Sequence, residues 1–421
     1  MPNRTTNLSR RSIVLIMLAL IALLLPSYGF RAQQEHWKPT VILISLDGFR
    51  WDYFDKALAP ALTALAARGV KAKWMIPSFP SETFPNHFTI VTGDYPDVHG
   101  IVKNSFYDPT FKESFGMRGD PAVNGKWWGA EPIWVTAEKQ GQIAATYFWP
   151  GSEAEIQGKR PTFWKHYSGE VPNSDRVKEI LGWLDLPDDK RPTFVSLYLA
   201  DMDHVGHDSG PDSPDVVKAI PVVDTTIGEL VAGLKERKLL DQVNIIVVSD
   251  HGMATSNRKR TVYLEDYFDT SWLIPDRQFT GTNGHIWPIA GKEAEVFQAL
   301  QKIPHLTTFQ KDKIPAYFHY GTNPRIGPIV VLAEEGWSFS VKRDTRPNAR
   351  PPKESDGGSH GYDNRLHSMR AIFIAAGPAF KSGLVVEPFE NIQVYNVMAS
   401  ILKLKPAPNN GDLSTVKGML K

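Results

Sequence analysis

Apolar positions along the chain alternate between short unbroken runs and longer runs with helical spacing. Thr40–Leu46 (Thr-Val-Ile-Leu-Ile-Ser-Leu) is a continuous β-branched and leucine stretch, the pattern of a strand buried on both faces. Asp47-Gly48 ends it. A helical pattern over about 57–67 follows, then a short strand near 70–76 and a helix that starts around Thr83. Strands are predicted again at 143–148, 193–199 and 243–248, with helices at about 174–184 and 213–238 between them. Strands alternating with helices give an α/β fold, a central and mostly parallel sheet flanked by helices.

Three segments depart from that alternation. Residues 105–132, rich in Gly, Trp, Pro and Asp, read as a long irregular surface excursion. Between 260 and 350 the texture changes to scattered prolines and aromatics, strand-like runs at 285–290 and 329–333 and a helix at 292–302, which predicts an inserted α+β subdomain. The core resumes over 351–405, with a strand at 370–375 and a helix at 392–402. The tail, 406–421, reads as loosely held.

Ahead of the core segment 36–259, the N-terminus carries Arg4, Arg10 and Arg11, an apolar run over 13–25, then Pro26 and small residues. This is the order of a secretory leader over 1–32, with cleavage expected near Gly29 or Ala32, export as its consequence and an uncleaved anchor as the alternative. The Ser9-Arg10-Arg11 run also admits the twin-arginine route. No membrane span is expected once the leader is removed. Lys plus Arg (47) nearly cancels Asp plus Glu (46), so the net charge favours neither a nucleic-acid backbone nor an anionic membrane as partner. With no cysteine in the chain, thiolate metal sites and disulfides are excluded, which leaves His, Asp and Glu as ligands.

In open parallel sheets, ligands bind beyond the carboxyl ends of the strands. Here those positions are acidic or histidine almost every time. Asp47 follows the first strand; Asp201, Asp203, His204 and His207 follow the run ending at Leu199; Asp250-His251-Gly252 follows the run ending at Val248. His360 sits in a glycine-rich loop, Gly357-Gly358-Ser359-His360-Gly361-Tyr362, ahead of the last core strand. Singly, each has a bland reading as a turn aspartate or a structural histidine. Together they would crowd several negative charges at one edge, and that arrangement calls for cations. Mixed imidazole and carboxylate ligands suit zinc better than calcium or magnesium, while manganese and iron stay open. Thr83, in the first turn of a helix bracketed by Pro80, Ser81 and Pro85, is a hydroxyl that a metal could activate.

Asp47, the Ser81-Glu82-Thr83-Phe84-Pro85-Asn86-His87 stretch, Asn104, Asp203-His204-Val205-Gly206-His207, Asp250-His251-Gly252 and His360-Gly361-Tyr362 resemble the nucleotide pyrophosphatase/phosphodiesterases of the alkaline phosphatase superfamily, over about residues 40–402. The resemblance implies an alkaline-phosphatase-like fold and two zinc ions. Asp203, His207 and His360 would hold one, and Asp47, Asp250 and His251, with Thr83, the other. Thr83 would then be the nucleophile, forming a phosphothreonine. Asn104 and the Phe84 N–H would hold a non-bridging oxygen, Phe84 and Tyr167 would stack a nucleobase, and Tyr198 would close the pocket. His204 and Asp201 are expected to support rather than ligate. The cysteine-rich and nuclease-like modules of animal members are not in this sequence, so the protein partners and calcium sites of those parts are not carried over and the catalytic unit alone is expected; a bacterial member, exported by its leader to the periplasm, is the expectation.

A neutral amide at Asn104 suits a singly charged diester better than a monoester. The expected substrates are therefore nucleotide phosphodiesters or pyrophosphates, cut to nucleoside 5′-monophosphates. Two alternatives stand beside this: a choline-phospholipid or glycerophosphodiester phosphodiesterase on the same metal site, and a non-catalytic, metal-stabilised protein that captures phosphorylated ligands.

Overall fold

The computed structural model describes residue 2, residues 37–344 and residues 356–421. The predicted leader lies outside the described residues apart from Pro2. Residues 39–421 form one compact unit. Its backbone is an eight-stranded sheet of β1 (Thr40–Leu46), β2 (Val70–Ala72), β3 (Ala144–Tyr147), β4 (Phe163–Trp164), β5 (Phe194–Leu199), β6 (Val243–Val248), β7 (Phe373–Ala376) and β8 (Leu384–Val386). Their order across the sheet is β8-β2-β7-β6-β1-β5-β3-β4. The central β6-β1-β5-β3-β4 block is parallel, whereas β7 runs antiparallel to both β6 and β2. Every residue of β1, β5 and β6 is buried, as a sheet covered on both faces requires. Truncating Leu43 to alanine in such a layer costs about 2–5 kcal/mol.

The helices used below are α1 (Pro60–Arg68), α2 (Thr83–Thr92), α3 (Ile133–Lys139), α4 (Asn173–Leu184), α5 (Asp201–Ser209), α6 (Pro214–Glu236), α7 (Glu293–Leu300) and α8 (Gln393–Ile401). Register places the chemistry. Ser45 pairs with Tyr198 on one side and Val248 on the other, so β1, β5 and β6 end level and deliver Asp47, the start of α5 and Asp250 to one rim. Gly48 makes this rim possible. It has φ +67, and a Cβ there would sit 2.9 Å from the Asp203 Cα.

Residues 283–286, 329–333 and 306–310 form a separate three-stranded antiparallel sheet, which packs with α7 over its own apolar cluster including Leu264, Ile286, Val296 and Val331. The strand in this region ends at Ile286 rather than reaching 290, because the Trp287 backbone N–H leaves the ladder and donates to Gln278 Oε1 at 2.9 Å.

Two expectations need correction. Residues 105–132 are not a surface excursion: Ser105–Asp108 and Glu113–Gly116 form a hairpin, and Phe106, Phe115, Trp127 and Trp128 are buried. Turn residues mark where the chain bends, but large aromatics decide which side of the bend faces the core. Nor is the tail loose. Val416 and Met419 are buried, and the Asn410 N–H donates to Asp94 Oδ1 at 3.1 Å.

Candidate active site

The N-terminus of α2 points Thr83 at the rim. Its N-cap is Glu82, which makes no side-chain capping bond, and the Ser81 hydroxyl donates instead to the Tyr362 carbonyl at 2.9 Å. The expected hydroxyl cap is therefore replaced by a tie to the His360 loop. Thr83 Oγ1 lies 3.3 Å from His251 Nε2. Buried His87, one turn along α2, fastens the helix to the sheet: its Nδ1 is 2.8 Å from the Thr83 carbonyl and 3.3 Å from Asp250 Oδ2, and its Nε2 is 2.8 Å from the Ser45 hydroxyl.

Two clusters of side chains converge around this hydroxyl. Asp203 and His207, one helical turn apart on α5, bring His207 Nε2 to 3.3 Å from Asp203 Oδ1. His360 Nε2 lies 3.2 Å from His207 Nε2 and 3.6 Å from Asp203 Oδ1. On the other side, His251 Nε2 lies 3.0 Å from Asp250 Oδ2 and 3.6 Å from Asp47 Oδ1. His251 also bridges the clusters, stacked on His360 at 3.6 Å between ring centroids. One ligand atom each from Asp203, His251 and His360 fall within 4.8 Å of one another, as do those from Asp47, Asp250 and His251.

The donor atoms are set for metal. His207 Nδ1 lies 2.9 Å from the Gly358 carbonyl, His251 Nδ1 2.9 Å from the Gly252 carbonyl and His360 Nδ1 3.0 Å from the Ser81 carbonyl. A carbonyl only accepts, so each Nδ1 bears the proton and each Nε2 presents a lone pair inward. Facing them, Asp47 Oδ1, Asp203 Oδ1 and Asp250 Oδ2 are buried without a hydrogen-bond partner among the described residues. An unpaired buried carboxylate oxygen is costly, and three in one pocket make a candidate cation site. Spacings of 3.2–3.6 Å within the Asp203–His207–His360 set match the edges of a tetrahedron around an ion with ligands at about 2.0–2.1 Å. Without a cation the charges conflict. Burial, then the neighbouring Asp250 and Asp203, pushes the Asp47 carboxyl well above its usual range.

Other side chains hold the ligands in place. The Tyr198 hydroxyl donates to Asp47 Oδ2 at 2.6 Å and the Gly48 N–H to Asp250 Oδ1 at 3.1 Å. Tyr198 is buried, with its hydroxyl committed to Asp47. The Phe84 N–H donates to Asn104 Oδ1 at 2.8 Å, which occupies the donor expected for a substrate oxygen and leaves the Asn104 Nδ2 amide for that task. Half-buried Phe84 packs by Phe115 and Trp128, while exposed Tyr167 lies across from Phe148 and Tyr198. Asp201 accepts from Asn173 Nδ2 at 3.1 Å, and exposed His204 lines a cavity of about 230 Å³ with Tyr167, Asn173 and Arg176.

A buried polar knot behind Thr83 was not foreseen. Glu82 accepts from Lys103 Nζ, from Asn283 Nδ2 at 2.8 Å and from the Asn104 backbone N–H at 2.7 Å. Asn283 also donates to the Gly361 carbonyl at 2.8 Å, and Thr282 Oγ1 to the His360 carbonyl at 2.6 Å. Only the i+4 spacing of His87 from Thr83 was there to be read in the motif; nothing in the local sequence points Asn283 at Glu82.

An α/β sheet whose parallel strand ends carry carboxylate and imidazole clusters around a helix-terminal threonine defines the alkaline-phosphatase-like class of metal sites. Within that class, the family model for Type I phosphodiesterase / nucleotide pyrophosphatase matches residues 41–363, and the chain belongs to this family. It is 41% identical over 393 residues to the venom phosphodiesterase of Naja atra, covering 90% of this chain and 46% of that protein. To ectonucleotide pyrophosphatase/phosphodiesterase family member 3 of Rattus norvegicus it is 38% identical over 400 residues, covering 91% and 44%. The chain thus spans about half the length of the curated relatives it matches. Among solved structures, murine ectonucleotide pyrophosphatase/phosphodiesterase 5 superposes with a TM-score of 0.85 at 35% identity, covering 91% of this chain and 100% of that one. An inactive variant of that murine protein in complex with AMP superposes equally well. Among the described residues, no helix is long and apolar enough to cross a membrane.

Proposed function

We propose that the chain hydrolyses nucleotide phosphodiester or pyrophosphate bonds to nucleoside 5′-monophosphates, with Thr83 as nucleophile. The observation that carries this is the placement of Thr83 Oγ1, 3.3 Å from His251 Nε2 at the lip of three unpaired buried carboxylate oxygens. Two zinc ions fit the donors, one on Asp203, His207 and His360 and one on Asp47, Asp250 and His251 beside Thr83. Zinc bound there would lower the pKa of a hydroxyl and offset phosphoryl charge.

The chain's own part is positioning. At the first turn of α2, Thr83 faces a phosphorus whose non-bridging oxygen accepts from Asn104 Nδ2. The Thr83 oxygen bonds to phosphorus as the bond to the departing oxygen breaks, and water later cleaves the phosphothreonine. Phe84 and Tyr167 flank the nucleoside end. Binding of AMP to a structural relative supports a nucleotide at this position. The segment 260–350 is read as an insertion between core parts 36–259 and 351–405, and it supports the site through Thr282 and Asn283. The names of the relatives, a venom enzyme and ectoenzymes, support an exported protein, and the periplasm of a bacterium is the proposed location.

The test offers zinc-loaded protein the nitrophenyl ester of thymidine monophosphate and plain nitrophenyl phosphate. The diester is expected to turn over faster, and Thr83→Ala to abolish turnover while keeping its metal. Faster cleavage of the monoester overturns the substrate class, and unchanged hydrolysis by Thr83→Ala overturns the nucleophile.

A further inference from the structure

A second cavity, of about 360 Å³, reaches the site at Asn104 and His360 and shares no lining residue with the cavity beside Tyr167. Asn104 and His360 form its inner wall, and the backbone and side chains of residues 278–282 form its outer one. A diester has two arms, and with the nucleoside arm between Phe84 and Tyr167, the arm that leaves must go where space adjoins both the oxyanion amide and the His360 ligand set. This cavity adjoins both.

Its charge is the informative property. Among the described residues, the ionisable side chains lining it besides His360 are Glu82 and Lys103, and these are paired with each other. Lys103 is 6% exposed, and its Nζ also donates to Asn283 Oδ1 at 3.0 Å, so its ammonium is neutralised at contact distance. The remaining described lining is neutral and mostly polar, with Ser105 and Thr280 offering hydroxyls. A departing pyrophosphate carries several negative charges and needs cations or free N–H donors around it. A departing nucleoside or sugar alcohol is uncharged and needs hydroxyl and amide partners. We infer that this cavity is the leaving-group subsite and that it selects uncharged, hydroxyl-rich leaving groups over polyphosphate. The inference rests on the hydrolase reading above and narrows its substrate class to diesters between two nucleosides or between a nucleoside and a sugar-like alcohol.

The experiment compares kcat/KM of the zinc-loaded full chain on a dinucleoside monophosphate and on a nucleoside triphosphate of the same 5′-nucleoside, with the nitrophenyl ester of that nucleotide as reference. The dinucleoside monophosphate is expected to be favoured by about tenfold or more. Thr280→Lys, which adds a cation to the outer wall, is expected to shift the ratio toward the triphosphate by about fivefold, whereas Thr280→Gln, of similar length without charge, does not reproduce the shift. A triphosphate cleaved as well as the dinucleotide or better, or a ratio that Thr280→Lys leaves unmoved, overturns the subsite while the hydrolase reading stands. No cleavage of the nitrophenyl ester overturns that reading and the subsite with it.

Discussion

The Glu82 carboxylate accepts the backbone N–H of Asn104 at 2.7 Å, so the residue just before Thr83, the proposed nucleophile, fixes the backbone of Asn104, the proposed partner of the substrate oxygen. The same carboxylate holds buried Lys103, and its pKa is lowered: burial alone would raise it, but Lys103 and the amide donors outweigh that. Glu82→Gln keeps an acceptor for Asn104 but strands the Lys103 charge; Glu82→Ala removes both. The expected result is a kcat reduced by about 10- to 100-fold with KM nearly unchanged for Glu82→Gln. Both variants should lose about 3–5 kcal/mol in stability, because each leaves the buried Lys103 ammonium without its counter-charge, and Glu82→Ala should lower kcat further because the Asn104 N–H also loses its acceptor. Steady-state kinetics and denaturant unfolding separate the two effects. A KM rise with intact kcat would show that Glu82 serves binding and not alignment.

Tyr198 offers a second test. Its hydroxyl donates to Asp47 Oδ2 and so aims Oδ1 inward, toward the donors of His251 and Asp250. Tyr198→Phe leaves the ring packing intact and removes that one bond. Metal affinity, measured by competition with a chromogenic chelator, is expected to fall by about 10- to 100-fold. Unaltered affinity would mean that Asp47 is positioned by other contacts.

Metal removal should be visible without any substrate. Asp47, Asp203 and Asp250 each keep an unpaired buried oxygen, and a cation that binds only the folded chain relieves all three. Thermal unfolding is expected to shift down on adding a strong chelator and back up on adding zinc, by about 2.7 kcal/mol when free zinc is a hundredfold over Kd. His360→Ala should lose part of that gain, since it removes one donor of the Asp203 set. Identical melting with and without chelator would rule out a structural contribution from metal.

The sheet and its rim were readable because they depend on local pattern. Unbroken apolar runs mark strands covered on both faces, and the residues just past them, Asp47, Asp203 and Asp250, must then share an edge. The i, i+4 spacing of Asp203 and His207 likewise predicts a shared helix face, and the structure brings their ligand atoms to 3.3 Å. What could not be read is long-range pairing. Asn283 meets Glu82 across 201 positions, and the aromatics of 105–132 turn inward because of what the rest of the core leaves uncovered. Turn-rich composition says where a chain bends and nothing about which face of the bend is wet.

The tail supplies a pH test far from the candidate metal site. Asp94, at the end of α2, accepts the Asn410 N–H and so ties the tail to the core. Burial raises its pKa from the ordinary 3.8 to about 6, and the Asn410 bond opposes that only in part. A carboxyl that holds its proton more tightly folded than unfolded makes the folded state bind more protons between those two values. Stability from this group therefore falls as pH rises from about 4 to about 6, and the charge penalty is complete above that window. Asp94→Asn keeps an oxygen for Asn410 and cannot ionise. Relative to the parent, it should melt higher at neutral pH, and the difference should vanish toward pH of about 4, where the parent is protonated. Calorimetry across that range is the measurement. A variant less stable than the parent at neutral pH would show that the ionised carboxylate strengthens the Asn410 tie by more than its burial costs.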